Sequence, residues 1–380
     1  MDPIPTDSSQ RMAACIVADE SAIDRLPTAL RSLQIGLIDE LVDLLLVVPD
    51  EDRCRRLATG PTQFITYKPH LWPLAGMARR RIAAQVLEKA QALKPATPIL
   101  VHSLSPRAAP LAAEIATATE GPLLISLWSV SETSATASLS SASGPATLIA
   151  PSDTLAAAIR TRLPADRRID VIPLGAPTAS APSAFRDPDR AATLVIAGAL
   201  HADQGIEAVL RAAKLALHRH PNLLVFVIGR GPGEPALRHV AEDLEIDQQV
   251  IFTGRLEHLR SALEAADIFC LPSAAAPHRE ELIHAMAAGL AILAPQRSPY
   301  DHLVNEETAL LFSEDDELTL STCLLRLLDN PSTARRLAAA AQAAARQHLS
   351  VPVMVEGHAR IYRRLDRRER TFTLAQSEKS

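Results

Sequence analysis

Short apolar runs alternate with longer stretches whose apolar positions fall three or four apart, and this rhythm fills almost the whole chain. The short runs read as strands covered on both faces, and the longer stretches as amphipathic helices. In the first half the pattern predicts strands at 13–18 (AACIVA), 44–48 (LLLVV, ended by Pro49), 64–67, 99–102, 123–127, 148–151 and 170–173. Helices are predicted between them at 21–35, 71–93, 107–119 and 153–162. The second half restarts with strands at 194–197, 223–228, 250–252, 268–271, 291–293 and 310–311. Its helices are predicted at 206–218, 235–244, 259–265, 279–288, 318–328, 332–348 and 353–364. Strands alternating with helices of this length imply parallel β/α layering.

Two breaks interrupt the rhythm. Residues 132–144 (ETSATASLSSASG) are small, polar and unpatterned, and read as a mobile surface loop facing a cleft. Residues 176–190 (APTASAPSAFRDPDR) are rich in Pro, Ala and Ser and read as an interdomain linker. The expected organisation is therefore a first Rossmann-like domain over 12–178 and a second over 191–350. A helix over 351–367 packs back on the first, and frayed ends lie before Arg11 and after Arg367.

Composition narrows the class without naming it. A length of 380 residues is too much for one ordinary core, and 47% hydrophobic content suits a folded globular chain. The net charge of −5 argues against nucleic acid as a partner. Cys15, Cys54, Cys270 and Cys323 lie far apart, with neither metal-ligand spacing nor a disulfide framework, which fits a reducing compartment. The polar start, MDPIPTDSSQR, has no signal-peptide core, and no apolar run is long enough to cross a bilayer. The expected location is the cytoplasm, with peripheral association at the inner membrane face as an extension, and no integral membrane segment.

The chemistry is expected where the stretch from Ala266 to Leu293 (ADIFCLPSAAAPHREELIHAMAAGLAIL) passes from strand to helix. Pro272 ends the strand because it cannot donate to a ladder. A loop over Ser273–His278 follows. Leu282, Ile283 and Met286 then recur at helical spacing, with Glu280 and Glu281 in the first turn, where negative charge suits the helix dipole, and Gly289 as the C-cap. In open parallel sheets ligands bind beyond the carboxyl ends of strands, so this loop is the first candidate.

That stretch resembles the sugar-donor motif of group 1 (family 4-like) glycosyltransferases. Leu271-Pro272-Ser273, Ala285-Met286-Ala287 and Gly289 stand at the family's spacing. Further pieces in the family's order are IGRGPGEPALR (228–238), VIFTGRL (250–256), LVNEETALLF (303–312) and LLDNPSTARRL (327–337). The first half is similar through VHSLSPRAA (101–109), LIAPSDTLAAAIR (148–160) and IDVIPLGAP (169–177). The resemblance implies an α/β fold of the GT-B type: two Rossmann-like domains facing each other across a cleft, the first on the acceptor side and the second on the nucleotide-sugar donor side. It also implies sugar transfer from a nucleotide-diphosphate donor, with retention of configuration.

Six features of the family's apparatus are replaced. The two motif glutamates fall on Ala276 and His284. The phosphate-binding Arg and Lys of the donor domain fall on Ala199 and Gln204, the acceptor-domain histidine on Trp128, and the Gly-rich turn after the first strand on Asp19-Glu20-Ser21-Ala22. Transfer needs positive charge or helix-end N–H groups near the departing diphosphate. The substitute donor-binding candidates are Arg230 within Gly229-Arg230-Gly231-Pro232, Arg255 after Gly254, His278 and Arg279 at the helix start, and His284, which can bond a ribose hydroxyl. On the acceptor side the candidates are His102, at a strand end, and Trp128. For each the ordinary alternative is a solvated arginine, a packed histidine or a turn-forming glycine.

The function expected from the resemblance is transfer of a sugar to a carbohydrate or lipid-linked acceptor, with activity impaired by the missing side chains. No cofactor or metal ion is implied; the nucleotide sugar is a substrate. The alternative is a catalytically inactive GT-B homologue that binds a glycan or a partner glycosyltransferase. A Rossmann dehydrogenase is disfavoured, because the Gly229 loop lacks the full Gly-x-Gly-x-x-Gly spacing and no acid ends the next strand.

Overall fold

In the computed structural model of the protein the described residues are 12–50, 57, 60–68, 75–93, 99–136, 139–141, 144–164, 167–201, 205–256, 258–274 and 280–377. The chain forms two compact units, one of residues 1–173 with 351–380 and one of residues 174–350.

The first unit opens with β1 (Met12–Val17), whose residues are all buried, as a run without polar alternation requires. There follow α1 (Glu20–Arg25), α2 (Pro27–Asp39), β2 (Val42–Pro49), β3 (Gln63–Tyr67), α3 (Ala75–Leu93), β4 (Leu100–Ser103), α4 (Ala109–Ala118) and β5 (Leu123–Ser126). After a short α5 (Thr133–Thr136) and the strands β6 (Ser140–Ser141) and β7 (Gly144–Pro145) come β8 (Thr147–Ala150), α6 (Asp153–Arg160) and β9 (Ile169–Val171). A parallel seven-stranded sheet runs in the order β3-β2-β1-β4-β5-β8-β9, and β6 and β7 form a separate hairpin.

The second unit contains β10 (Thr193–Ala197), α7 (Ile206–Leu217), β11 (Leu224–Ile228), α8 (Glu234–Asp243), β12 (Val250–Gly254), α9 (Leu259–Glu264), β13 (Ile268–Cys270), α10 (Glu280–Ala288), β14 (Ala291–Pro295), β15 (Leu310–Phe312), α11 (Glu317–Asp329) and α12 (Pro331–His348). Its parallel sheet runs β12-β11-β10-β13-β14-β15. In both units the order starts 3-2-1-4-5, the doubly wound arrangement. The topology is that of two Rossmann-like layers, each with its own buried aliphatic core.

The chain then returns to the first unit as α13 (Val351–Ser377). Gly36 lets α2 accept this helix, since a Cβ there would lie 2.3 Å from Val355 Cγ2. Tyr362, fully buried, brings its hydroxyl within 2.7 Å of His102 Nδ1, and His102 Nε2 lies 2.9 Å from Ser126 Oγ. His358 sits beside them, its ring centroid 5.6 Å from that of His102 and its Nδ1 donating to Met354 O. Arg364 forks onto Asp170 at 3.0 and 2.6 Å, and Arg363 pairs with Glu40. Burial pushes Asp170 up, but Arg364 and then Arg168 outweigh it and hold the carboxyl below its ordinary range.

Four expectations from the pattern are corrected. The single helix over 21–35 is two, because Pro27 lacks an N–H and drives Leu26 out of the α region (φ −133°). Residues 132–144 are not an unstructured loop where described. A short 3₁₀ turn, α5 and the hairpin occupy them, and the Thr133 and Thr136 hydroxyls donate to Val130 O and Thr133 O. Residues 176–190 are not a free linker: Ala176 N–H donates to Leu349 O, Ala179 N–H to Ala287 O and Ala184 N–H to Gly289 O. Buried Asp267 clamps the end of this stretch, accepting from Phe185 N–H (2.7 Å), Arg190 Nη2 (2.7 Å) and Thr193 N–H (3.0 Å). The last helix continues well past Arg364, to Ser377. Among the described residues no helix is long and apolar enough to cross a membrane.

The buried histidines give the first unit a pH dependence. Burial lowers His358 to about 4, and burial, then the neighbouring His358, lowers His102 well below its ordinary value. The unfolded chain binds these protons at higher pH than the folded one. Their neutral packing therefore contributes fully above about pH 6.5 and is lost as pH falls towards 4, by up to about 1.4 kcal/mol per pH unit for each histidine. Both tryptophans, Trp72 and Trp128, lie in the first unit, so urea unfolding followed by tryptophan fluorescence reads it selectively. A stability that falls between pH 7 and 5, with a shallower slope in His358→Gln, is the expected result; equal slopes in the two proteins would contradict it.

Candidate functional site

In the second unit the strand order reverses between β10 and β13, and the loops at the carboxyl ends of these strands frame the place where a doubly wound sheet holds a ligand. Backbone contacts draw the loops together. Gly198 N–H donates to Ile228 O (2.9 Å), Leu200 N–H to Arg230 O (3.1 Å), Gly233 N–H to Leu200 O (2.9 Å) and Gly229 N–H to Gly254 O (2.9 Å). Two glycines make this possible. A Cβ on Gly229, at φ +144°, would lie 1.7 Å from Gly198 O, and one on Gly231 would lie 2.1 Å from Leu200 O. Across the switch point, a Cβ on Gly205 would lie 2.7 Å from Pro272 O.

Gly205 is the N-cap of α7 and Gly233 that of α8, and neither helix start receives a side-chain cap. At α8 the Glu234 N–H is taken by Gly231 O (3.2 Å) and Pro235 has none, so it is at α7 that the glycine cap leaves first-turn N–H groups to water or to a ligand, and the helix dipole favours an anion there. Arg230 projects from the glycine loop and is exposed; its Nε lies 3.4 Å from the Cβ position of Gly254, and among the described residues it makes no ion pair. Pro232 and Arg255 are exposed in the same group of loops. Ala199 stands between the two bonded loop residues Gly198 and Leu200, without a charge to offer.

His284 is the unusual residue of this region. It is 3% exposed, on α10, and neither ring nitrogen has a hydrogen-bond partner among the described residues. Burial, helped by the Arg260 charge, lowers it to about 4, so the ring is neutral near pH 7 with one donor and one acceptor idle. His278 and Arg279 lie outside the described residues, as do positions 204 and 276. One polar contact of the loop after β13 was not foreseen: Ala274 N–H donates to Glu314 Oε1 at 3.0 Å. The partners stand far apart in sequence, and no local pattern signals the bond.

The switch point of the first unit, between β1 and β4, is filled by the chain itself. Asp19 caps α1, accepting from Ala22 N–H (3.0 Å), and takes the Ser105 hydroxyl at 2.8 Å. The acceptor-side candidates are engaged inside this unit. The buried Trp128 donates its indole N–H to Leu104 O (2.7 Å), and Arg25 lies over its ring at 5.9 Å. Both ring nitrogens of His102 are spent on Tyr362 and Ser126, which makes it part of the packing of α13.

Residues 191–330 match a family model described as Glycosyl transferases group 1. A GDP-mannose-dependent monoacylated alpha-(1-6)-phosphatidylinositol monomannoside mannosyltransferase of Corynebacterium glutamicum is 28% identical over 162 residues, 40% of this chain and 42% of that protein. A glycogen synthase of Mycobacterium tuberculosis is 26% identical over 206 residues, 53% of this chain and 50% of that protein. The matched stretches thus span half or less of the length of these relatives. In fold, Anabaena Alr3699/HepE, solved in complex with UDP and glucose, superposes with a TM-score of 0.77 at 16% identity, covering 93% of this chain and 100% of that one. A sucrose-phosphate synthase of Thermosynechococcus elongatus superposes with a TM-score of 0.73 at 18% identity, covering 93% and 99%.

The glycine contacts can be checked directly. Gly231→Ala drives a methyl into the Leu200 carbonyl and is expected to cost about 1–3 kcal/mol in urea unfolding followed by circular dichroism. Gly76→Ala, on a helix with open space around it, is expected to be neutral or to stabilise by up to about 1 kcal/mol. Equal effects at the two positions would remove the contact argument.

Proposed function

We propose that the chain, whose residues 191–330 match the group 1 glycosyltransferase model and whose fold is GT-B, moves a sugar from a nucleotide-diphosphate donor to a hydroxyl of a carbohydrate or lipid-linked acceptor. In this reading the second unit takes the donor and the first serves the acceptor. The observation that carries it is the glycine-cleared switch point of the second unit, where two uncapped helix starts face loops that carry Arg230 and Arg255. Relatives fit that donor class by name: one uses GDP-mannose, and a fold neighbour was solved with UDP and glucose.

Each group has a part in the chemistry. The N–H groups opening α7 receive diphosphate oxygens, and Arg230 and Arg255 supply the positive charge that positions 199 and 204 lack. As the sugar–phosphate bond breaks, negative charge grows on the leaving diphosphate, and preorganised donors there lower the barrier. His284 meets a ribose hydroxyl with its neutral ring. An unpaired buried polar group costs about 1–3 kcal/mol in the free protein, which is a reason to look for a ligand that pairs it.

A second reading, a non-catalytic binder, draws on Ala199 in place of an anchoring arginine. Titration calorimetry and product analysis separate the two. UDP-glucose or GDP-mannose is expected to bind in the micromolar range, with slow release of sugar or transfer to added glycan. Arg230→Ala is expected to weaken donor binding about 10-fold. Binding without turnover would favour the second reading, and absence of binding would reject the donor site. His284→Leu adds a signature that packing alone does not give: the free protein is expected to gain about 1 kcal/mol of stability while donor affinity falls. A variant that loses stability would instead make His284 a packing residue.

A further inference from the structure

We propose that Glu314 supplies the sugar-hydroxyl acceptor of the donor site, a side chain that position 276, an alanine, cannot provide. The inference rests on the donor reading above and assigns a specificity residue within it.

Glu314 follows β15, the edge strand of the second sheet, and β14 lies between β15 and β13. Its carboxylate reaches past the end of β14 to the loop after β13, where Oε1 accepts from Ala274 N–H at 3.0 Å. Ala274 lies just beyond Pro272, whose carbonyl abuts Gly205 at the start of α7. The carboxylate is therefore near the switch point, beside Ser273 and Ala274, whose own side chains are small.

The turn that carries Glu314 is built to hold it. Ser313 N–H donates to Thr319 Oγ1 (3.0 Å), and Asp316 N–H donates to Ser313 O (3.2 Å). The Thr319 hydroxyl closes the turn on Asp316 O (2.7 Å), and Asp316 Oδ1 caps α11 through Leu318 N–H (3.0 Å). Three acids stand in a row here, and two are accounted for. Asp316 is the cap, and Asp315 lies 4.0 Å from Arg297. Glu314 is exposed and makes no ion pair among the described residues. Among the described residues its one bond uses one lone pair of Oε1, which leaves Oε2 and the remaining pair on Oε1 for hydroxyl donors. A carboxylate repels a diphosphate and suits a neutral polyol, which places it at the sugar end of the donor rather than the phosphate end.

Calorimetry on the full chain tests this with UDP, GDP, UDP-glucose and GDP-mannose. For the nucleotide sugar that the wild type prefers, Glu314→Ala is expected to weaken binding roughly 10- to 100-fold, with Glu314→Gln intermediate, while the parent diphosphate binds as before. Asp315→Ala is expected to leave both unchanged. Equal weakening of the diphosphate and its sugar would make Glu314 a brace for the loop and overturn the inference. Unchanged or tighter sugar-nucleotide binding would overturn it as well, while leaving the donor reading intact. A wild-type chain that binds none of the four would remove the donor reading and this inference together.

Discussion

The carbonyl groups of Gly198 and Leu200 press against Gly229 and Gly231 at distances that only a missing side chain allows, and the second unit's site hangs on that approach. It joins the ends of β10 and β11 through backbone hydrogen bonds and brings β12 in through Gly254. With the loops fixed by main chain rather than side chains, the starts of α7 and α8 need no Ser, Thr or Asp caps. Capping side chains would satisfy those N–H groups and strengthen the fold. At α7, leaving them free costs stability and keeps donors available for an anion, whereas at α8 Gly231 O already takes the Glu234 N–H. The same economy of side chains explains how the site tolerates Ala199, because the position lies in a loop held at Gly198 and Leu200.

The two units share a strand order and treat their switch points in opposite ways. In the second, Gly205, Gly229 and Gly231 clear the close approach of the loops. The first fills the equivalent place with Asp19 bonded to Ser105, and with Trp128 bonded to Leu104 beneath Arg25. Its buried polar network, His102 with Tyr362, Ser126 and neighbouring His358, serves the docking of α13. A buried network of this kind is worth having only when each member is satisfied, and here the described bonds satisfy both nitrogens of His102. His284 in the second unit is the reverse case, buried with neither nitrogen bonded among the described residues. Satisfied and unsatisfied histidines thus separate packing from candidate chemistry more cleanly than their positions in the sequence do.

Much of the fold was legible because parallel strands buried on both faces leave uninterrupted apolar runs such as Met12–Val17 and Ala291–Pro295. The misreadings have local causes. Pro27 split a helix whose apolar spacing continued unbroken, and the small polar residues of 132–144 made structure by bonding to their own backbone. The Pro- and Ala-rich stretch 176–190 looked like a linker by composition. It is held by backbone bonds to residues a hundred or more positions away and by Asp267, contacts that no local window contains. In the candidate site, glycine spacing marked loops that the structure brings together, and Arg230 is an exposed cation among them. The burial of His284 and the reach of Glu314 depend on tertiary neighbours and leave no mark in the sequence.

Magnitudes suggest how such a site would divide its affinity. Removing two ionic phosphate contacts costs about 1.5–3 kcal/mol each. Arg230 and Arg255 are exposed, so solvent screens what they return, and a helix start adds only about 0.3–1 kcal/mol at a surface position. The phosphate end alone therefore does not make up the loss. In the proposed donor reading the remaining contributions lie at the two ends of the donor. His284, buried and without a hydrogen-bond partner among the described residues, would gain most from a ribose hydroxyl because the free protein already carries its desolvation cost. Glu314, held by its turn against Ala274, would in that reading offer a charged acceptor to the sugar. A donor gripped more by its ribose and sugar than by its phosphates would be bound with greater sugar selectivity and weaker salt dependence, because neutral hydroxyl contacts are screened little by ions.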